Sequence, residues 1–242
     1  MRKPTVLIIG ASGTIGAAVA RTLDQQGFQL GLHYCTNREI VEGIVASSEN
    51  SKLHHSRSDM LDGLNAVDPL LDYFFEKLGT IDGLALCAGR VPWQAESELT
   101  EENWQRAFFE LAVFPYHLAL AFSCRCDSGA KIAALSSISA KYGGSSKTRH
   151  YGAAKSAFEA TLIGLARQVA DQQICVNIVR AGFVLSPQQT KGRSAVELGE
   201  RAEKIPFGRA GQAEEIATMF SALLNPRSTF TTGQKITVAG GD

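Results

Sequence analysis

Tyr151 and Lys155 stand four residues apart in YGAAK (151–155), and Phe158, Leu162 and Leu165 follow at helical spacing. The pair therefore shares one face of an expected helix. An ammonium beside a phenol favours the phenolate and lowers the phenol's pKa. That makes Tyr151 a usable general acid near neutral pH. Alone, the spacing fits a surface tyrosine and a surface lysine equally well. Upstream, IAALSSIS (132–139) sets Ser136 and Ser137 at the carboxyl end of an expected strand, where ligands bind in open α/β sheets. A hydroxyl there can donate to a carbonyl oxygen; the plain alternative is a turn or helix cap.

A second constellation opens the chain. In VLIIGASGTIGAAVARTL (6–23) an apolar run meets Gly10, Gly13 and Gly16, then a helical pattern with Ile15, Val19 and Leu23 on one face and Gly27 as its stop. Glycines at a strand-to-helix turn let the backbone approach a pyrophosphate, and the helix N-terminus offers unpaired N–H groups and partial positive charge. Gly10 supplies the turn, Ser12 and Gly13 the approach, and Gly16 the close helix–strand contact. A tight connection with no ligand is the plain alternative. An acid about 20 residues further on would bond the ribose 2′-OH of NAD. Here LGLHYCTNRE (30–39) has Tyr34 in that place and Arg38 close by. A carboxylate repels a 2′-phosphate and an arginine pairs with it, so the reading favours NADP(H). Otherwise Arg38 is a solvated charge at a helix start.

The elements that must position these residues alternate. Strands are expected at Thr5–Ile9, Gln29–Tyr34, Lys52–Ser56, Gly83–Ala88, Lys131–Leu135, Ile174–Val179 and Lys235–Val238, with helical patterns between most of them. This predicts one α/β domain over residues 1–242: a Rossmann-like, doubly wound, seven-stranded parallel sheet with helices on both faces. The polar segment 185–206, expected to be partly helical, is a possible lid. Lys+Arg and Asp+Glu are both 24 in 242 residues, so no basic excess points to nucleic acid or an anionic membrane. No run approaches a membrane span, and the short apolar run after the N-terminus is too brief for a signal peptide. A cytoplasmic protein is expected. Five scattered cysteines, including Cys124 and Cys126 as C-x-C, read as free thiols, with zinc a remote alternative; no metal site is expected.

Over essentially its whole length the chain resembles the short-chain dehydrogenase/reductase family, most of all its 3-oxoacyl-carrier-protein reductases. The carrying residues are the glycine turn, Asp59-Met60, LCAG (86–89), LSS (135–137), YGAAK, VNIVRAGFV (176–184), PFGRAGQAEEIA (206–217) and TGQKITVAGG (232–241). The resemblance implies that Ser137 orients the carbonyl, Tyr151 delivers the proton, and Lys155 holds the nicotinamide ribose and depresses the tyrosine pKa. It implies that Asp59 bonds the adenine amino group with Met60 beside it, that Ala88 and Gly89 line the ribose region, and that Val184 meets the carboxamide. Thr14, Ile15 and Gly182 complete the implied cofactor set.

The resemblance also implies reduction of a ketone, in particular a 3-oxoacyl thioester on carrier protein or CoA, by a tetramer. Alternatives are a reductase of another small or secondary-metabolite carbonyl, or a weakly active partner in a mixed tetramer. The chain departs from the family at several places. Thr14 replaces the middle glycine, Cys87 an asparagine, and Ala181 the proline before Gly182; Ser186 takes a threonine's place. In ENWQRAFFELAVFPYHL (102–118), Leu111 falls where the family has an active-site asparagine that holds a relay water. Of two carrier-docking arginines, Arg125 matches one, and Gln172 stands near the other.

Overall fold

The computed structural model describes residues 2–48, 53–59, 62–190 and 193–242, with Gln188 as backbone only. Among them, β1 (Thr5–Ile9), β2 (Gln29–Tyr34), β3 (Leu53–Arg57), β4 (Gly83–Leu86), β5 (Lys131–Ser137), β6 (Cys175–Ala181) and β7 (Lys235–Val238) form one sheet in the order β3-β2-β1-β4-β5-β6-β7. Each pairing is parallel. The helices are α1 (Thr14–Gln25), α2 (Arg38–Ser47), α3 (Val67–Leu78), α4 (Glu101–Phe108), α5 (Phe114–Ser123), α6 (Ser139–Tyr142), α7 (Arg149–Gln168), α8 (Pro187–Thr190), α9 (Ala195–Glu203) and α10 (Ala213–Leu224). A π-helical turn, Phe109–Val113, joins α4 to α5.

Alternation along β1 explains the two-sided core. Val6 and Ile8 join the cluster with α1 and α10, while Leu7 and Ile9 join the cluster with α3, α5 and α7. Both faces are dry, so the central strands read as continuous apolar runs. The doubly wound, single-domain expectation holds.

Strand ends differ from the sequence reading, and the ladder says why. β4 stops at Leu86 rather than Ala88, because Leu86 is paired with Ile9, the last residue of β1 before the glycine turn. β5 and β6 end two residues later, on the pair Ser137 and Ala181, and β6 starts one residue later, at Cys175. β3 begins at Leu53, and the expected start, Lys52, lies outside the described residues. The segment 185–206 carries α8 and α9. No helix among the described residues is long and apolar enough to cross a membrane.

Candidate active site

The carboxyl ends of β1, β4, β5 and β6 open onto one cleft of about 760 Å³. Its walls include Ser12, Gly13, Thr14, Ile15 and Gly16 at one end and Ser137, Tyr151, Gly182 and Val184 at the other, with Gly89 between. The two constellations that are far apart in sequence therefore face a single space.

The glycine turn is built by close approach. Gly10 has φ +84°, and a Cβ there would lie 2.7 Å from the Cα of Ala88. A Cβ at Gly16 would lie 2.1 Å from the Gly10 carbonyl oxygen. Only hydrogen fits at either place. Gly13 is different: its φ is −77°, and a Cβ would sit 3.4 Å from the nearest atom. Its N–H donates to the Gly10 carbonyl at 3.0 Å. Gly13 also opens α1, which has no side-chain cap and no acidic residue in its first turn. The helix end is thus free to meet an anion. Ala88 packs behind Gly10 and does not line the cleft.

His33, which the sequence reading passed over, holds this turn from β2. Its Nδ1 accepts the Gly10 N–H at 3.3 Å, so Nε2 carries the proton and donates to Ser58, 2.9 Å from the hydroxyl. The ring is 2% exposed, and burial pushes its pKa down to about 4.

At the other end, β5 presents two serines to opposite sides. Ser136 Oγ donates to buried Glu159 at 2.7 Å, and Arg180 of β6 grips the same carboxylate at 2.7 and 2.5 Å. Ser136 is therefore a structural member of a buried polar network. Both serines line the cleft, but only the Ser137 hydroxyl is left for it: its Oγ accepts the Ser139 N–H at 3.1 Å and is hydrogen-bonded to Tyr151. Period-two alternation assigns the two roles.

α7 carries Tyr151, Lys155 and Glu159 at successive i, i+4 positions. α6 is fastened to it by Ser156 Oγ, which donates to the Ala140 carbonyl at 2.8 Å. Lys155 is 3% exposed, and its Nζ donates to the Leu135 carbonyl at 2.9 Å. Burial lowers its pKa to about 8, with the Glu159 carboxylate pulling the other way. Cys87 lines the cleft as a neutral thiol, pushed up by burial to about 12.

The expectation that Lys155 depresses the Tyr151 pKa is not met here. Burial pushes the phenol up, and the opposing influence is the Ser137 hydrogen bond. The physical reason is that removing the phenolate from water costs more than its surroundings return.

Leu111 sits in the π-turn, 1% exposed, and packs with Ala107, Ala154 and Tyr151. A Cβ on Gly89 would lie 3.1 Å from its Cδ2 and 3.6 Å from Lys155 Nζ. The apolar side chain thus occupies the ground beside the lysine.

The remaining sequence-predicted residues lie off the cleft wall. Tyr34 is buried, with its ring against His55 at 5.9 Å. Arg38 is exposed and paired with Glu42 at 2.8 Å. Asp59, just past β3, accepts a hydrogen bond from the Cys35 thiol, which stays protonated. Met60 lies outside the described residues. The cationic and amide groups that do line this end of the cleft are Arg21 and Asn37. Asn37 has φ +55° and caps α2, a conformation that asparagine tolerates. The only hint of it in the sequence is the turn-like TNRE.

The comparisons with known proteins agree with this geometry. A family model described as enoyl-(acyl carrier protein) reductase matches residues 10–242. The chain is 32% identical to the uncharacterized oxidoreductase YmfI of Bacillus subtilis, over 98% of both chains. It is 28% identical to a 3-oxoacyl-[acyl-carrier-protein] reductase of Aggregatibacter actinomycetemcomitans, again over 98% of each. The crystal structure of BdcA in complex with NADPH is 25% identical, with a TM-score of 0.87 over 98% of this chain and 93% of that one. With the fold, the glycine turn and the Ser137–Tyr151–Lys155 cluster in place, the chain belongs to the short-chain dehydrogenase/reductase family of oxidoreductases, acting on a carbonyl or alcohol.

Proposed function

We propose that the protein reduces a ketone with NADPH, the ketone being a 3-oxoacyl thioester, and that Tyr151 is the general acid. The observation that carries the reading is the hydrogen-bonded pair Ser137–Tyr151, which lines the same cleft as the bare N-terminus of α1.

The cradle suits a dinucleotide: hydrogen at Gly10 and Gly16 leaves the turn tight, and the uncapped helix end faces the cleft. Gly13, Thr14 and Ile15 hold the pyrophosphate end, while Gly89, Lys155, Gly182 and Val184 hold the nicotinamide end. Asp59 and Met60 belong to the adenine end. NADPH is favoured over NADH because β2 ends on Tyr34, not on an acid, with Arg21 and Arg38 in the neighbourhood. When bound, NADPH supplies the hydride.

Ser137 donates to the substrate carbonyl oxygen and orients it. Tyr151, kept protonated by burial, gives its proton to that oxygen as negative charge develops there. Lys155, anchored by its donation to the Leu135 carbonyl, holds the nicotinamide ribose one helical turn from the phenol. The segment 185–206 serves as the lid; its Ser186, Gln189 and Arg193 line the cleft.

The thioester reading draws on the name of the Aggregatibacter relative. Docking of a carrier protein through Arg125 has less support, because Arg125 pairs with Asp68 at 2.8 Å and Asp72 at 3.5 Å in its own chain. CoA thioesters and free ketones are therefore the first substrates to try. NADPH oxidation is followed with acetoacetyl-CoA and a panel of ketones, with Tyr151→Phe as control. Turnover by the wild type, lost in Tyr151→Phe while NADPH binding persists, is the expected result. Turnover retained in Tyr151→Phe removes the tyrosine from its role. Buried Leu111 favours a second reading, a weakly active partner in a mixed tetramer; NADPH binding without turnover of any substrate would select it.

A further inference from the structure

The far wall of the cleft carries a feature that the reaction as described does not use. The guanidinium of Arg193 lies over the Trp93 ring, 4.2 Å from its centroid, and its Nη1 donates to Gln189 Oε1 at 3.3 Å. All three residues line the cleft that holds Ser137 and Tyr151. Trp93 is fixed beside the segment leading into α7, because Gln94 N–H donates to the Lys147 carbonyl at 3.0 Å and Glu96 N–H to the Ser146 carbonyl at 2.8 Å.

Among the described residues, Arg193 has no carboxylate within ion-pair distance. The other lining guanidinium near this wall, Arg201, is committed to Asp242. Glu197 feels the Arg193 charge, but its Oε2 is taken up by the N–H and Oγ of Ser194 at 2.7 and 3.0 Å. Stacking on an indole occupies the face of a guanidinium, and the bond to Gln189 takes one of its five N–H donors, so the rest of the edge stays free. That pre-oriented edge matches a carboxylate or phosphate. A lining cation held in place with no carboxylate in ion-pair contact among the described residues, in the cleft that also holds a general acid, is a group waiting for an anionic ligand.

We propose that the carbonyl compound taken by this cleft carries an anionic oxygen group, which the Arg193 edge binds over Trp93. The proposal rests on the reductase reading above. Two sources share this chemistry: the carboxylate of a small oxo acid, and a phosphate on the arm of an oxoacyl thioester.

Two matched pairs separate the sources: acetoacetate with methyl acetoacetate, and acetoacetyl-CoA with the phosphate-free N-acetylcysteamine thioester. Loss of a charge-assisted, bidentate contact raises KM about tenfold or more. Arg193→Gln is expected to do so for the charged member of one pair, with its uncharged partner nearly unchanged and Arg193→Lys intermediate. Loss confined to acetoacetate identifies an oxo acid, and loss confined to acetoacetyl-CoA identifies the arm phosphate. No change in Arg193→Gln, or equal change within both pairs, overturns the proposal.

Binding is read separately by tryptophan fluorescence of the NADP+-bound protein. A change on adding acetoacetate or acetoacetyl-CoA that is absent in Arg193→Gln supports the proposal even if no compound in the panel is reduced, in which case the reductase reading is what fails. No change in the wild type, or the same change in both proteins, overturns it.

Discussion

Lys155 shows how a side chain's surroundings set its chemistry. Its ammonium is nearly dry, is anchored by one carbonyl, and has its pKa lowered to about 8. The cationic form makes the stronger, charge-assisted hydrogen bond to the nicotinamide ribose, so kcat/KM is expected to fall as pH rises through about 8. A pH–rate profile checks this, and Lys155→Met removes that limb along with most of the activity. Leu111 is the other residue whose type matters. It holds no water where a polar side chain would, so Leu111→Asn is expected to raise turnover at a cost of about 2–3 kcal/mol in stability from lost core packing. Steady-state rates and urea unfolding read the two effects. A large fall in rate would show that Leu111 serves by packing Tyr151.

At the scale of elements, the cleft depends on two junctions. One is the β1–α1 turn, where the glycines are not equivalent. Gly16→Ala drives a methyl to 2.1 Å from the Gly10 carbonyl oxygen, whereas Gly13→Ala meets nothing closer than 3.4 Å. Gly16→Ala is expected to cost several kcal/mol and abolish NADPH binding, while Gly13→Ala loses about 1 kcal/mol or less and stays folded. Thermal melts and NADPH titration distinguish them; equal effects would contradict the geometry. The second junction is the network Ser136–Glu159–Arg180, which ties β5, α7 and β6 together just beneath the reacting groups. Glu159 follows Lys155 by one helical turn, so the ion pair that fixes the rotation of α7 also fixes the lysine and tyrosine.

Across the molecule, stability in acid is tied to the site through His33. Its folded pKa of about 4 lies below the ordinary 6.5. The neutral ring is favoured in the folded state, so its contribution is fully present above pH 6.5. It is lost as pH falls through about 4, when the unfolded chain binds a proton that the folded chain refuses. The difference amounts to about 3 kcal/mol. Urea unfolding at pH 7 and near pH 4 is expected to show this loss, and His33→Asn to have a flatter pH dependence over that interval. An unaltered dependence in His33→Asn would place the acid sensitivity elsewhere.

The fold was legible in the chain itself. Apolar strands with glycine-marked turns and amphipathic helices recur in order, and a parallel sheet buried on both faces leaves those runs few alternatives. YGAAK, the strand-end serines and the glycine turn were legible too, because each is a local spacing. Their convergence was not. Which of the Ser136 and Ser137 hydroxyls is left for the cleft follows from the pleat and from the place of Glu159 across it. The direction of the Tyr151 pKa shift follows from how much water the packed neighbours exclude. His33 beneath the turn, Leu111 beside Lys155, and Arg193 over Trp93 join residues from separate elements. Spacing along a chain carries local geometry, whereas burial and charge pairing are properties of the space between elements, and only the folded molecule has that space.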